Sequence, residues 1–348
     1  MRFFWKFTEI FLNLWLSKRP IAMNYDSFKT RVVGVDISIE KTTCAVVDIR
    51  GDIIATDSFP TNEHPFVGDY ASVLGEHILA LVQANGGYEN IRSIGISAPS
   101  GNIQTGCIEN SPNLPWKGSI PLAAMLRDRL GLAVALANDA YVMALGEHAF
   151  GAAHGMQNFV VISLGSGMGS CFFSNGMPHQ GYSGYAGEIG HTCAVVGGRE
   201  CGCGNKGCLE TYTAAKGVIR TAQEVLAEST EPSLMRDAEK LSPKIIAEFC
   251  DQGDALAIEV YRRAGHALGM GLANYASILN PEAFIFTDSG AKAGKWLLDP
   301  ASETFEQHVF HNIKDKVKMI VSQIDDHIRD VLGASVLAWD IEEYSLFK

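Results

Sequence analysis

Twice along this chain an apolar, strand-forming run turns tightly and comes straight back as a second strand. The first instance starts at Arg31: RVVGVDIS and TTCAVVDI read as buried strands, and DIIATDSF adds a third after the turn at Arg50-Gly51-Asp52. Three strands joined by tight turns make an antiparallel meander, an unusual opening for a plain doubly wound domain. The second instance, NFVVISLGSGMGSCFFSNG, reads as strand, glycine turn, strand. Two halves that open alike predict a duplicated α/β unit. The length of 348 residues agrees, being more than one compact core usually holds.

Between and after the hairpins, helix and strand alternate. YASVLGEHILALVQANG predicts a helix stopped by Gly86-Gly87, and SIGISAP a strand ended by Pro99. Residues 119–130 form a short amphipathic helix, LAVALAND runs as a strand into a loop at Asn138-Asp139, and a helix covers Ala140 to Phe150. Further helix is predicted from about Ala214 to Cys250 and from Asp254 to Leu279. Strand AFIFTD, a helix, strand KMIVSQI and a last helix near Val331 to Trp339 follow. The boundary falls near 138–150, giving a small α/β domain over 31–138 and a larger one over 139–330, with the C-terminal helix (about 331–348) packing back on the small one.

A formal net charge of -11 argues against a nucleic-acid partner, because phosphate binding needs a basic footprint. Residues 1–30 stand apart as an extension. In MRFFWKFTEIFLNLWL an apolar run too short to span a bilayer is interrupted by Lys6 and Glu9, and Lys18-Arg19 follow where a signal peptidase needs small residues. We read it as a start set too early, with Met23 the true beginning, in preference to a segment lying on a membrane surface. No membrane and a cytoplasmic location are expected. Of the eight cysteines, those scattered among apolar residues fit buried thiols in a reducing compartment better than a disulfide framework.

The other three cysteines carry chemistry. In GEIGHTCAVVGGRECGCGNKGCLE, Cys201, Cys203 and Cys208 place three soft ligands in one loop, and Gly202, Gly204 and Gly207 let the backbone wrap a small ion. His191 can complete a tetrahedron. Four N/S ligands with no open position describe a structural Zn²⁺. Disulfides or chance clustering are the weaker alternative, and Cys193 is a spare thiol able to replace a ligand.

Asp139, at the end of an apolar strand, suits the base that accepts a proton in phosphoryl transfer, although taken alone an Asx turn or helix N-cap is the better reading. Leu164-Gly165-Ser166-Gly167-Met168-Gly169 lacks the Gly-Lys-Ser/Thr end of a P-loop, and a strand rather than a helix follows it, against a dinucleotide fingerprint. Its backbone N–H groups can approach phosphate, and it serves equally as a structural turn. Glu188 and Glu210 flank the metal ligands as a carboxylate pair suited to sugar hydroxyls, or as solvated surface groups.

Together these residues closely resemble the ROK family, which groups repressors, open reading frames and sugar kinases. The resemblance covers Arg31 onward and rests on APSGNIQTG with NSPNLPWKG, LANDAYVMALGEHAFGAAHG, SLGSGMG, and GYAGEIGHTCAV with CGCGNKGCLETY. It implies an actin-like ATPase (ribonuclease H-like) fold, two α/β domains around a cleft that holds ATP and sugar. Asp139 would be the catalytic base. Asn113, Asn138, Glu188, His191 and Glu210 would bind a hexose such as glucose or N-acetylmannosamine, with Gly101 close by. His191 would also hold zinc. Asp36, Lys41 and Thr42 in the first phosphate hairpin and Gly165, Ser166, Gly167 and Gly169 in the second would meet ATP with Mg²⁺, and a homo-dimer or tetramer is implied.

The departures lie on the nucleotide side. Where the family reads Asp-Ile-Gly-Gly-Thr, this chain has Asp36-Ile37-Ser38-Ile39-Glu40, and where it has a Gly-Gly pair this chain has Asp288-Ser289. A carboxylate facing ATP is repulsive unless Mg²⁺ or Lys41 screens it. An ATP:hexose phosphotransferase is therefore the first expectation and a sugar-binding pseudokinase the second. A repressor is disfavoured, since the roughly thirty residues before Val32 are too few for a helix-turn-helix domain.

Overall fold

The computed structural model describes residues 29–341, so the N-terminal apolar run and the end of the predicted C-terminal helix lie outside the described residues. Two five-stranded sheets carry the fold. The first joins β1 (Arg31–Ile37), β2 (Lys41–Asp48), β3 (Ile53–Pro60), β4 (Ile91–Ala98) and β8 (Ala133–Asn138) in the order β3-β2-β1-β4-β8. The second joins β9 (Phe159–Leu164), β10 (Met168–Ser174), β11 (Met177–Pro178), β12 (Ala283–Thr287) and β13 (Lys318–Val321) in the order β11-β10-β9-β12-β13. In each, the first three strands in sequence are an antiparallel meander and the last two run parallel to the first. The duplication read from the two hairpins is thus present strand for strand. A small antiparallel sheet of β5 (Gly101–Asn102), β6 (Cys107–Glu109) and β7 (Ser119–Ile120) is inserted after β4.

Helices α1 (Val67–Ala84) and α2 (Leu122–Leu130) cover one face of the first sheet, where Tyr70, Leu74, Ile78 and Leu126 meet Val33, Val35, Cys44 and Val46. The helix expected from residue 119 begins only at Leu122, because Ser119 and Ile120 pair with β6. Helix α3 (Asp139–Phe150) follows β8. The helix expected over 214–250 is broken: α4 (Glu210–Thr213) and α5 (Ala215–Glu228) come first, and α6 (Pro243–Asp251) restarts the helix with Ser242 as N-cap and Pro243 in its first turn. Then α7 (Ala255–Leu279), capped by Asp254, packs with α9 (Lys295–His308) on the outer face of the second sheet; the short α8 (Asp288–Ala291) lies between β12 and α9. Of the cysteines read as buried, Cys44, Cys171 and Cys250 are, whereas Cys107 is partly exposed and Cys193 is exposed.

The two halves exchange their last helices. Helix α3 follows the last strand of the first sheet, yet its Val142 and Leu145 pack with Phe159, Val161 and Phe173 of the second. Helix α10 (Arg329–Trp339) follows the last strand of the second sheet, yet Val331, Leu332 and Ala338 pack on Val32, Ala45 and Val47 of the first. The helices cross at glycine: a Cβ on Gly146 would stand 3.4 Å from the Gly333 Cα, and one on Gly333 would overlap the Val142 carbonyl oxygen. Gly333→Ala should therefore destabilise by roughly 1–3 kcal/mol through overpacking and lower the melting temperature by several degrees. Gly68→Ala, whose added methyl group meets nothing within 4 Å, is the control; equal melting temperatures for the two variants would rule out a close-packed crossing.

Candidate active site

Asp139, just past β8 of the first sheet, and Asp288, just past β12 of the second, lie close enough for their charges to interact, at the C-terminal strand ends where open α/β sheets usually hold ligands. Asp139 opens α3 directly after β8. Its Oδ1 accepts the Ala140 N–H at 2.8 Å, and the Asn138 side chain accepts the same N–H at 2.9 Å as N-cap. Burial pushes the Asp139 carboxyl up to about 6; the Ala140 N–H opposes this, and the charges of Asp330, Asp288 and Glu188 add to it. Gly101 lies directly behind: a Cβ there would be 2.5 Å from the Ala137 carbonyl oxygen, so β5 comes this close to β8 only with glycine. Asn113 is exposed on the loop that Leu114 and Trp116 anchor in the core.

The cysteine loop folds as a candidate metal centre. One ligand atom from each of His191, Cys201, Cys203 and Cys208 lies within 4.8 Å of every other. The Cys201 Sγ–His191 Nδ1 and Cys203 Sγ–Cys208 Sγ separations are both 3.7 Å, too long for a disulfide. They match the edge of about 3.8 Å that a tetrahedron with Zn–S near 2.3 Å has. The donor set therefore fits a structural zinc, and Cys193 stays outside it as a free thiol. The His191 Nδ1 faces the thiols and Glu210 (3.6 Å), while Nε2 faces Glu188 at 3.9 Å. Glu210 is also 2.9 Å from the Cys201 sulfur and accepts weakly from the Met168 N–H at 3.4 Å, so it touches both the metal loop and the glycine turn. Buried Arg199 ties this loop to α4 and α5, donating to the Thr211 and Gly217 carbonyls, Thr221 and Glu224.

On the other side of Asp139 the expected phosphate residues separate into two groups. Asp36, next to last in β1, lies beside Ser97 of β4; burial and the Asp330 charge push its carboxyl well above the ordinary range. Lys41 is exposed. Thr42 does not join them, because strand alternation turns it to the other face of the sheet, where its buried hydroxyl bonds Thr61 (2.8 Å) and Tyr70 (2.7 Å). Thr43, paired with Asp36 across the hairpin, has the cleft-side position. The Ser38 hydroxyl is used within its own turn, donating to the Lys41 carbonyl at 2.8 Å, and Glu40 is exposed at the tip. Gly165, Ser166 and Gly167 form the β9–β10 turn, while Gly169 lies inside β10, its missing side chain leaving room for Ala140 at 3.2 Å.

Two features escaped the sequence reading. Arg329, almost wholly buried at the start of α10, binds Asp288, Asp326 (2.6 Å) and Asp330 (3.4 Å). A charged Arg-Asp pair just ahead of the apolar run VLGASVLA was its one signal. At the opposite end, Tyr185 donates to Glu109, and Asn102 donates to Glu109 (3.2 Å) and to the Ser183 carbonyl (3.1 Å), joining the inserted sheet to the glycine-rich loop ahead of Glu188. Nothing in the local sequence announces a contact across 76 residues.

Two sheets of identical order, interleaved helices and a site at their strand ends are the architecture of an actin-like ATPase, as in ROK kinase structures. The chain matches the ROK family over residues 32–341 and belongs to it. A glucokinase from Halalkalibacterium halodurans is 33% identical over 302 residues, covering 84% of this chain and 90% of that protein. A ROK family glucokinase from Streptomyces griseus, solved in complex with glucose and AMPPNP, superposes with a TM-score of 0.73 at 28% identity, covering 89% of this chain and 99% of the other. A xylose repressor of Bacillus subtilis is 24% identical over 325 residues, 93% of this chain and 80% of the repressor.

Two measurements follow from this geometry. Cys203→Ser should reduce bound zinc from about one equivalent per chain to well below that, as read by elemental analysis; unchanged metal content would refute the ligand set. Because the Asp139 carboxyl lies at about 6 in the folded chain against 3.8 ordinarily, its proton is held more tightly when folded. The associated stability is complete below the unfolded value and is lost as pH rises through about 6. Asp139→Asn should thus raise the melting temperature at roughly pH 8 by several degrees, with a gain that fades toward pH 4.

Proposed function

We propose that this chain is an ATP-dependent hexose kinase in which Asp139 takes the proton from the attacking sugar hydroxyl. The observation that carries this reading is Asp139 itself, a carboxylate at the cleft end of β8 whose affinity for a proton is raised to about 6. Such a group is mostly ionised at neutral pH and still basic enough to accept a proton in a transition state. The hydroxyl oxygen forms a bond to the γ-phosphorus, the β–γ bridging bond breaks, ADP leaves, and the hydroxyl proton passes to Asp139.

Asn113, Asn138, Glu188, His191 and Glu210 would grip the sugar, glucose or a related hexose such as N-acetylmannosamine, with Gly101 keeping β5 clear of it. With Nδ1 turned to the thiols, the His191 Nε2 would donate to a hydroxyl, and Glu188, 3.9 Å from it, would accept from one. Bound at His191, Cys201, Cys203 and Cys208, zinc would supply no acid–base chemistry and would fix the imidazole and its loop. Asp36 and Lys41, with Thr43 in place of Thr42, would line the donor side opposite Gly165–Gly167. A second reading, a sugar-binding protein with little phosphoryl transfer, is favoured by Glu40 at the first turn and by Asp288, which follows β12 and abuts the second turn.

The test is ATP consumption with Mg²⁺ and a panel of hexoses, with Asp139→Asn as the blank. The kinase reading expects turnover with one or a few sugars, and about 10²–10⁴-fold less in the variant with sugar affinity kept. It also expects kcat/KM to fall as pH drops below about 6 and Asp139 becomes protonated. Turnover by Asp139→Asn within a few-fold of the native chain would remove Asp139 from the mechanism.

A further inference from the structure

Asp288 stands at the mouth of the β9–β10 glycine turn with partners unlike those of a surface carboxylate. Its backbone is left-handed, with φ at 68°. Its carboxylate accepts the Ser163 hydroxyl and the Arg329 guanidinium, and a Cβ on Gly165 would lie 3.5 Å from its Oδ2. The Arg329 side chain is 3% exposed and its three nitrogens are all engaged, with Asp288, Asp326 and Asp330. Asp326 is itself shared with Lys292. An anion therefore already sits against the backbone turn where a phosphate is expected, and a buried cation holds it there.

We propose that the Asp288–Arg329 pair is a built-in occupant of the nucleotide phosphate subsite, and that a nucleoside triphosphate binds by displacing the Asp288 carboxylate. This rests on the kinase reading only for placing the nucleotide at the glycine turn. A phosphate cannot share that position with Asp288, since two anions in contact repel and the cation beside them is committed to three carboxylates. The binding-competent arrangement is then a minor one, and apparent nucleotide affinity is reduced by its population. The sugar-binding groups are largely spared, because no hydrogen bond or ion pair joins Glu188 or His191 to the pair; Asp288 reaches that side only through its charge on Asp139. Asp288 and Arg329 thus set the affinity for the phosphate donor, separately from the affinity for the acceptor.

The experiment is calorimetric titration of Mg²⁺·AMPPNP, and separately of hexose, into the native chain, Asp288→Gly and Asp288→Asn. The asparagine variant keeps the size of the side chain and a partner for Ser163, and in both variants Arg329 retains Asp326 and Asp330. The native chain is expected to bind the nucleotide only weakly, and each variant at least about tenfold more tightly, with hexose affinity changed less than about twofold. Micromolar nucleotide binding by the native chain would overturn the proposal whether or not a variant folds, as would variants that bind no better. Tight nucleotide binding by a variant that still turns over no hexose would sink the kinase reading and leave the role of the pair intact. Hexose turnover by a native chain that binds nucleotide tightly would do the reverse.

Discussion

The rest of the structure depends on the crossing of α3 and α10 at Gly146 and Gly333. Each helix ends one half of the duplication and packs on the sheet of the other, so the crossing is what makes two α/β units one molecule. It works because backbone meets backbone. Gly34 and Gly95 leave similar room on the first sheet, where a Cβ would overlap the carbonyls of Val331 and Ala334. With no side chain at these points, the helices lie close enough to bury Val142, Leu337 and Ala334 between the sheets.

The same crossing aims two helix N-termini at one place. Asp139 begins α3 and Arg329-Asp330 begins α10, corresponding positions of the two halves. Carboxylates are favoured at the start of a helix by its dipole, and here that preference gathers Asp139 and Asp330 near Asp36 and Asp288. Burial and mutual repulsion raise Asp36, Asp139 and Asp330 together, so ionising them weakens the fold. Arg329 offsets part of that charge. This cluster is therefore less stable than a neutral one would be, the kind of local cost that functional sites commonly carry.

Much of this was legible in the sequence for definite reasons. The two hairpins announced the duplication because strand, turn and strand are local in sequence, and the Cys-x-Cys loop announced its His-Cys cluster because three of the four residues share one short segment. Asp139 was read as lying in a loop after the strand, whereas β8 runs directly into α3 with Asn138 as N-cap and Asp139 as the first helical residue. What escaped was either non-local or a matter of facing. Thr42 and Thr43 differ only in which side of a strand they occupy, and the registration that decides it comes from Tyr70 and Thr61, 28 and 19 residues away. Arg329 and Asp288 are 41 residues apart and meet only once β12 and α10 are both in place. The helix expected over 214–250 failed at Pro232 and Ser242-Pro243, breakers whose local signal was outweighed by the apolar pattern around them.

The exchange of helices also sets a timetable for synthesis on the ribosome. The first sheet is complete at Asn138, but among the described residues the helix that covers Val32, Ala45 and Val47 is Arg329–Trp339, which emerges last. That interval is about 190 residues, on the order of 10–40 s at ordinary elongation rates. For that time the nascent chain presents a finished, apolar sheet surface to solvent, so its first half needs a chaperone or the second half before it is safe from aggregation.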